Sequence, residues 1–228
     1  MAADGEVWWA GAQRDLFAGD LRAHVSLERL AGLPHLYALG PAARLRGEIT
    51  VVDGRAYVSR VEEGRIVVDR SFRHEAPFLV WSQVVRWHES EIPASIAGVG
   101  DFEPLLVERA REARVDTSRP FAFLLGGVPE ALQLHVLDKR DDRRHTRALH
   151  DQIKVRFTVE RVPVDVVGFY STSHAGVFIP SGERLHLHVC TADERIAGHV
   201  ERIRFAPGMR LRVPATAQAG MDPARAAR

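Results

Sequence analysis

Short runs of apolar residues, separated by turn residues, dominate the chain from Leu45 onward. The run 48–52, the dipeptide Asp53-Gly54 and the run 55–59 together predict a β-hairpin, because Asp-Gly between two such runs is a strong turn signal. A further strand is predicted over 65–69, and residues 77–87 predict one long, largely buried strand. Later runs predict strands at 121–125, 131–137, 153–159, 164–170, 184–190 and 198–205.

Helical periodicity is confined to a few segments. Between Asp101 and Ala113 apolar residues recur near every 3.6 positions, which predicts the main helix. Residues 13–17 predict a short helix, and Ser26 is the predicted N-cap of a turn over 26–30. Few helices and many short strands predict a β-rich α+β protein.

The order of these elements divides the chain into three predicted regions. Residues 1–118 form an N-terminal mixed-sheet region with one helix, and residues 119–206 form a C-terminal region with an antiparallel β-barrel or sheet. Residues 207–228 are rich in alanine, proline and arginine, which predicts a flexible tail whose last dozen residues are disordered.

Composition argues against several classes of function. The 31 basic and 30 acidic residues give a net charge of +1, so we expect neither a nucleic-acid nor a membrane partner. No window approaches the roughly 18 apolar residues of a membrane helix. The first residues also lack a signal-peptide pattern, and we therefore expect a cytoplasmic protein. The single cysteine, Cys190, excludes an intramolecular disulfide and a cysteine-rich zinc site.

Three histidines in the segment 183–200 have a spacing that indicates a metal site. His186 and His188 are two positions apart, so in a strand they share one face at roughly 6 to 7 Å. Two imidazoles at that separation can both reach one metal ion. The polar turn near 191–194 returns the chain, which lets His199 lie on the adjoining strand. Three imidazoles with an open fourth position are the ligands of a catalytic zinc site.

The alternative is that these are unrelated strand histidines. Against it, the face with His186 and His188 contains no lysine, glutamate or threonine, whereas the opposite face is apolar. Cys190 continues the histidine face. It suits a small buried residue better than a fourth ligand, and it also remains a predicted substrate contact. A cupin-like metal barrel also has His-x-His on a strand, but its last histidine lies much farther along the chain.

These residues resemble the motifs of the α-acetolactate decarboxylase family. Gly182 to His188, followed by Ala197-Gly-His-Val, is similar to the family's His-x-His and Gly-Gly-His-Val, with the same eleven-residue step between the second and third histidines. Val167-Gly-Phe-Tyr-Ser, Ala76-Pro-Phe and the stretch from Leu45 to Gly54 resemble further elements of the family. The similarity runs in order over approximately residues 8 to 205.

The resemblance implies the family's fold and a Zn²⁺ enzyme that decarboxylates a 2-hydroxy-3-oxo acid, with another divalent transition metal as the alternative ion. A chelated metal stabilises the enediolate left by the departing CO₂. The resemblance also implies that Glu48 moves a proton, whereas the residues alone favour a solvated glutamate beside a turn. A homodimer is implied as well.

Two departures separate this chain from the family's reaction. The family places an arginine beside the metal to bind the substrate carboxylate, and Leu124 stands at the matching position. Leucine cannot replace a bidentate guanidinium. The family also supplies a second glutamate from a C-terminal segment, and residues 206–228 contain none. The basic run 139–147 either compensates for the missing arginine and glutamate or is a solvated loop. The residues of the run that could compensate are Arg140, Arg143, Arg144, His145 and Arg147.

We therefore predict a divergent metal-dependent lyase that acts on a small hydroxy-keto compound, in specialised metabolism, through a metal-stabilised enediolate. The step need not be a decarboxylation, because an enediolate also serves isomerisation, aldol cleavage and dehydration. The predicted substrate-contacting positions are Leu124, Arg147 and Cys190. Acetolactate itself is expected to be a poor substrate, because Leu124 cannot pair with its carboxylate. The alternative is a non-catalytic protein that binds a metal or small molecule.

Overall fold

The apolar runs form the strands of two large antiparallel sheets in the computed structural model, which describes residues 4–215. In chain order the elements are β1 Val7–Ala10, α1 Gln13–Phe17, β2 Val25–Ser26, β3 Leu36–Pro41, β4 Glu48–Val52, β5 Arg55–Glu62, β6 Arg65–Asp69, β7 Glu75–Ala76, β8 Leu79–Gln83, β9 Trp87–Glu91, α2 Val99–Glu112, β10 Phe121–Gly127, β11 Ala131–Leu137, α3 Arg147–His150, β12 Lys154–Glu160, β13 Val164–Tyr170, β14 Leu185–Thr191, β15 Ala197–Arg204 and β16 Arg210–Pro214.

Every strand pairing in both large sheets is antiparallel. The six-stranded sheet has the order β1-β8-β3-β4-β5-β6. The eight-stranded sheet has the order β12-β11-β15-β14-β13-β10-β16-β9. Strands β2 and β7 form a small separate pair. The predicted β-rich α+β class is confirmed, and the N-terminal sheet is antiparallel rather than mixed.

The two sheets pack face to face, and helix α2 covers the outer face of the eight-stranded sheet. Phe102 of α2 lies 5.7 Å from Phe123 and 5.3 Å from Phe205, measured between ring centroids. Between the sheets, residues such as Leu39 pack against Phe169. Every residue of β14 is buried, because one face of the strand packs beneath α2 and the other face packs against the six-stranded sheet. Successive side chains of a strand point to opposite faces, so His186 and His188 point into the layer between the sheets.

The helices agree closely with the sequence pattern. The 14-residue helix α2 covers most of the predicted range 101–113, and α1 matches the predicted residues 13–17. A 3-10 turn forms at Leu27–Leu30, although the Ser26 side chain makes no capping hydrogen bond there. Within residues 4–215, no helix is long and apolar enough to cross a membrane.

The single long strand predicted over residues 77–87 is wrong. Strand β8 ends at Gln83, and β9 begins at Trp87 in the other sheet. Between them the Val84 amide donates to the His35 carbonyl at 3.0 Å, and Val85 is 55% exposed. The apolar pattern continues through this crossing because Val84 is buried and Trp87 is partly buried against the same core cluster, so hydrophobicity alone does not reveal that the chain changes sheets.

Part of the predicted flexible tail is also ordered. Residues 210–214 form β16, which lies between β10 and β9. Leu211 and Val213 face the core under α2, and they alternate with Arg210 and Arg212, whose charges made the segment look like part of a polar tail. The predicted disorder of the last dozen residues lies outside the described residues, and the division at residue 118 stays a prediction.

The place of β16 in the sheet can be tested with Leu211→Ala. Leu211 is fully buried, so we expect its truncation to lower the free energy of unfolding by about 2–4 kcal/mol. Arg210→Ala is the matched control, because Arg210 is exposed and should change stability by about 0.5 kcal/mol or less. Denaturant titration measures both variants. Equal stabilities for wild type and Leu211→Ala would show that the segment is not part of the core.

Candidate metal centre

The three predicted histidines lie together on the hairpin formed by β14 and β15. His188 is directly opposite His199 in the pairing register, and His186 lies two positions before His188 on the same face. The turn that joins the strands is closed by the Glu194 amide, which donates to the Thr191 carbonyl at 2.8 Å. The predicted hairpin and the predicted clustering of the three histidines are therefore confirmed.

The geometry of the cluster fits one metal ion. One ring nitrogen from each of His186, His188 and His199 lies within 4.8 Å of the other two. Nε2 of His186 is 3.1 Å from Nδ1 of His199. Two nitrogens bound tetrahedrally at about 2.1 Å to one ion are about 3.4 Å apart. The rings therefore need only small adjustments to bind such an ion.

Neighbouring groups fix which nitrogen faces the cluster. Nδ1 of His186 donates to the Phe178 carbonyl oxygen at 2.6 Å, and Nδ1 of His188 lies 3.2 Å from the Thr50 hydroxyl. Both contacts leave Nε2 free to face the cluster. Nε2 of His188 is buried and has no hydrogen-bond partner among the described residues. Buried polar atoms normally have a partner, so this lone pair fits a metal.

Burial also selects the protonation state that a metal requires. Loss of solvent lowers the pKa of His186 to about 4 and lowers the pKa values of His188 and His199 well below the usual range. All three imidazoles are therefore neutral near pH 7, and neutral imidazole is the form that binds metals. Three such nitrogen donors suit Zn²⁺ and related divalent transition metals.

Glu48 faces the histidines from the other sheet, at the start of β4. The residue is 2% exposed, and its Oε2 lies 3.7 Å from Nε2 of His188. Gly47 directs the chain into this position with a φ of +135°, and a Cβ there would lie only 2.2 Å from the Ser59 carbonyl oxygen. Burial raises the pKa of Glu48 well above its usual range. The solvated glutamate that the residues alone favour is therefore not observed.

Sequence reasoning missed His135, a fourth histidine beside this cluster. It is 2% exposed and pairs with His199 across β11 and β15, with ring centroids 4.5 Å apart. Its Nε2 lies 3.7 Å from Oε1 of Glu48, and its Nδ1 lies 3.2 Å from Oε1 of Glu201. Within the sequence, His135 is a single histidine in an ordinary strand pattern, and only the pairing of distant strands brings it to the site.

The cluster opens to a cavity of about 210 Å³. His186, His199, His135 and Glu48 line its floor. Arg147 also lines the cavity, its Nη2 donates to the Ser181 hydroxyl at 2.9 Å, and its guanidinium lies 4.4 Å above the Phe17 ring. Other residues at this end are His150, Asp151, Lys154 and Pro180.

The rest of the basic run 139–147, all of it within the described residues, does not line the cavity. Arg140 pairs with Asp138, Arg143 pairs with Asp141, and Arg144 donates to the Ala18 carbonyl. His145 is buried, with Nε2 3.1 Å from Nδ1 of His150.

Leu124 and Cys190 do not line the cavity either. Leu124 is buried between the sheets two strands away from His188, in the row His188, Val167, Leu124. Cys190 is buried in the same layer, and loss of solvent raises the pKa of its thiol to about 12. A thiol in that state is a poor ligand at neutral pH. The two residues therefore serve as packing, and of the three predicted substrate-contacting positions the geometry favours Arg147.

The sequence matches the family model described as alpha-acetolactate decarboxylase over residues 16–223. The chain belongs to this family. No curated protein matches the sequence. The fold is similar to acetolactate decarboxylase from Bacillus subtilis subspecies spizizenii, with a TM-score of 0.73 and 16% identity, covering 91% of this chain and 85% of that one.

Two further acetolactate decarboxylase-like structures share the fold. The enzyme from Bacillus subtilis strain 168 gives a TM-score of 0.73 at 16% identity, over 91% of this chain and 84% of that one. A Staphylococcus aureus protein of unknown function, similar to alpha-acetolactate decarboxylase, gives 0.72 at 13% identity, over 91% and 84%. At such identities the likeness shows the fold alone, so this chain is a divergent member of the acetolactate decarboxylase family.

Metal content tests the histidine cluster directly. We expect untagged protein to hold about one divalent transition metal per chain, and His188→Ala to lose it, because His188 contributes a buried nitrogen that has no hydrogen-bond partner within residues 4–215. His88→Ala is the control, since His88 is exposed on β9 and should leave the metal content unchanged. Elemental analysis of dialysed protein measures all three samples. An unchanged metal content in His188→Ala would contradict the assignment.

Proposed function

We propose that this protein is a divergent metal-dependent lyase acting on a small hydroxy-keto compound. The observation that carries the proposal is the position of the Glu48 carboxyl group, 3.7 Å from His188 Nε2 at the floor of a small cavity. Family membership supports decarboxylase-like chemistry. Zn²⁺, or another divalent transition metal held by the three imidazoles, would supply the positive charge that stabilises an enediolate.

Glu48 is the proposed proton-transfer residue. Because burial raises its pKa, the carboxyl group is suited to take up a proton and to deliver it to a substrate carbon that gains electron density. Its two oxygens face His135 and His188, so the group is directed at the cluster rather than at solvent. The cavity's modest size also limits how much water accompanies the substrate.

Arg147 is the proposed contact for an anionic group of the substrate. The family arginine's position is occupied by buried Leu124, whereas the Arg147 guanidinium lines the same cavity as the histidines. Its contacts with Ser181 and Phe17 orient the guanidinium. A guanidinium is well suited to bind a carboxylate through paired hydrogen bonds. Because Arg147 approaches from α3, it would hold an acid differently from an arginine on β10, so the preferred substrate should differ from acetolactate.

The second candidate function is a non-catalytic protein that binds a metal and a small molecule. Leu124 favours it, because an aliphatic side chain packed in the core cannot bind a carboxylate. The Glu48→Gln experiment described next separates the two functions.

Glu48→Gln should abolish turnover and leave the metal in place. The amide keeps the shape of the side chain but cannot transfer the proton, so we expect the rate to fall by about 10²–10⁴-fold. Wild type, Glu48→Gln and the exposed control Glu89→Gln are assayed against a panel of 2-hydroxy-3-oxo acids and related hydroxy-ketones for CO₂ release and isomerisation. Full activity in Glu48→Gln would contradict the role of Glu48, and wild-type binding without turnover would favour the binding protein.

Arg147→Ala should weaken the use of anionic substrates. Loss of a charge-assisted hydrogen bond costs about 1.5–3 kcal/mol, so we expect kcat/KM to fall by roughly 10- to 100-fold for an acid and far less for a neutral analogue. Arg143→Ala is the control, because Arg143 lies in the same basic run but pairs with Asp141 away from the cavity. Steady-state kinetics on matched acid and neutral substrates measure the effect. An equal fall for both substrates would contradict this contact.

A further inference from the structure

We propose that His135 is a positioning residue for the Glu48 carboxyl group. We also propose that Glu201 sets the tautomer of His135, and that this tautomer is the one in which His135 orients Glu48. This inference rests on the proposed function of Glu48. It adds two residues, His135 and Glu201, that the three-histidine motif does not contain.

One side of the His135 ring faces a fixed carboxylate. Its Nδ1 lies 3.2 Å from Oε1 of Glu201, although the ring N–H is not aligned with that oxygen for a hydrogen bond. Oε2 of Glu201 accepts from Arg156 Nε at 2.9 Å, and Oε1 lies 3.3 Å from Lys154 Nζ. Two cations therefore keep Glu201 ionised and oriented, and its negative charge favours a nitrogen that carries a proton, rather than a lone pair, on the side of the His135 ring that faces it. The proton of neutral His135 accordingly lies on Nδ1, and Nε2 carries the lone pair.

The local irregularity of β15 brings Glu201 to this place. The register pairs Leu134 with Val200 and then Gln133 with Arg202, which leaves Glu201 as an extra residue between two pairs. Val200 and Ile203 both pack in the core beneath α2 although they are three positions apart, as expected when one residue is inserted into a strand. Such bulges redirect side chains beside functional sites, and this one lets Glu201 approach His135.

The other side of the ring faces Glu48. Nε2 of His135 is 3.7 Å from Oε1 of Glu48, while the second oxygen of Glu48 is 3.7 Å from Nε2 of His188. These separations exceed hydrogen-bond distance, so the effect of His135 is one of packing: both groups are 2% exposed, and the buried ring occupies space into which the carboxyl group would otherwise rotate. With its lone pair towards Glu48, His135 favours a carboxyl orientation in which one oxygen faces His135 and the other faces the histidine cluster.

Two amide substitutions of His135 test the contacts on the two sides of its ring separately. In His135→Gln the amide reaches the place of Nε2 beside Glu48, and in His135→Asn it reaches the place of Nδ1 beside Glu201. We expect both variants to keep the metal. We expect His135→Asn to lower kcat by about tenfold or more with KM changed by less than about threefold, and His135→Gln to recover most of the rate, because small misplacements of a reacting group are costly. Equal kcat values for the two variants would overturn the positioning role.

The tautomer is measured without substrate, by ¹⁵N resonances of the histidine rings in the metal-loaded protein. We expect a protonated Nδ1 on His135 in wild type, a mixture of tautomers in Glu201→Gln, and a shifted Nε2 resonance in Glu48→Gln. A protonated Nε2 in wild type overturns the inference even if Glu48→Gln is inactive. Full activity of Glu48→Gln overturns the proposed function instead. The ¹⁵N measurement is independent of that outcome and still identifies the tautomer of His135.

Discussion

Face-to-face packing of the two sheets shields three histidines and one glutamate from most contact with water, and the properties of the site depend on this burial. Desolvation keeps His186, His188 and His199 neutral and raises the pKa of Glu48. A buried donor or acceptor without a partner costs about 1–3 kcal/mol, and Nε2 of His188 is such an atom among the described residues. A bound metal would offset that cost, which couples the stability of the fold to the occupant of the site.

Local sequence signals predicted the metal hairpin because all its determinants lie within a few residues. The His-x-His spacing places two rings on one face of β14, and the alternating apolar residues show that the opposite face is packed in the core. The turn at 191–194 then brings β15 back alongside β14, so that His199 pairs with His188. The hairpin of β4 and β5 was predictable from its Asp-Gly turn for the same reason. The homodimer remains a prediction from the family resemblance.

The remaining parts of the site come from pairings that no local pattern contains. Thr50 meets His188 across 138 positions of the chain, and His135 meets His199 only because β11 lies beside β15. Glu201 reaches His135 through a bulge, which changes the strand by a single residue. Similarly, the chain breaks between β8 and β9 because it passes from one sheet to the other, and the periodicity of apolar residues does not reveal this change.

In this member of the acetolactate decarboxylase family, three histidines and Glu48 lie together, Leu124 is buried between the sheets, and Arg147 lines the cavity from α3. The central claim is that the three imidazoles bind one metal ion. X-ray absorption spectroscopy of the metal in purified protein tests it most directly. The account predicts three imidazole nitrogens at about 2.0–2.1 Å and an oxygen ligand in the remaining position. A metal bound mainly by carboxylate oxygens or by sulfur would contradict it.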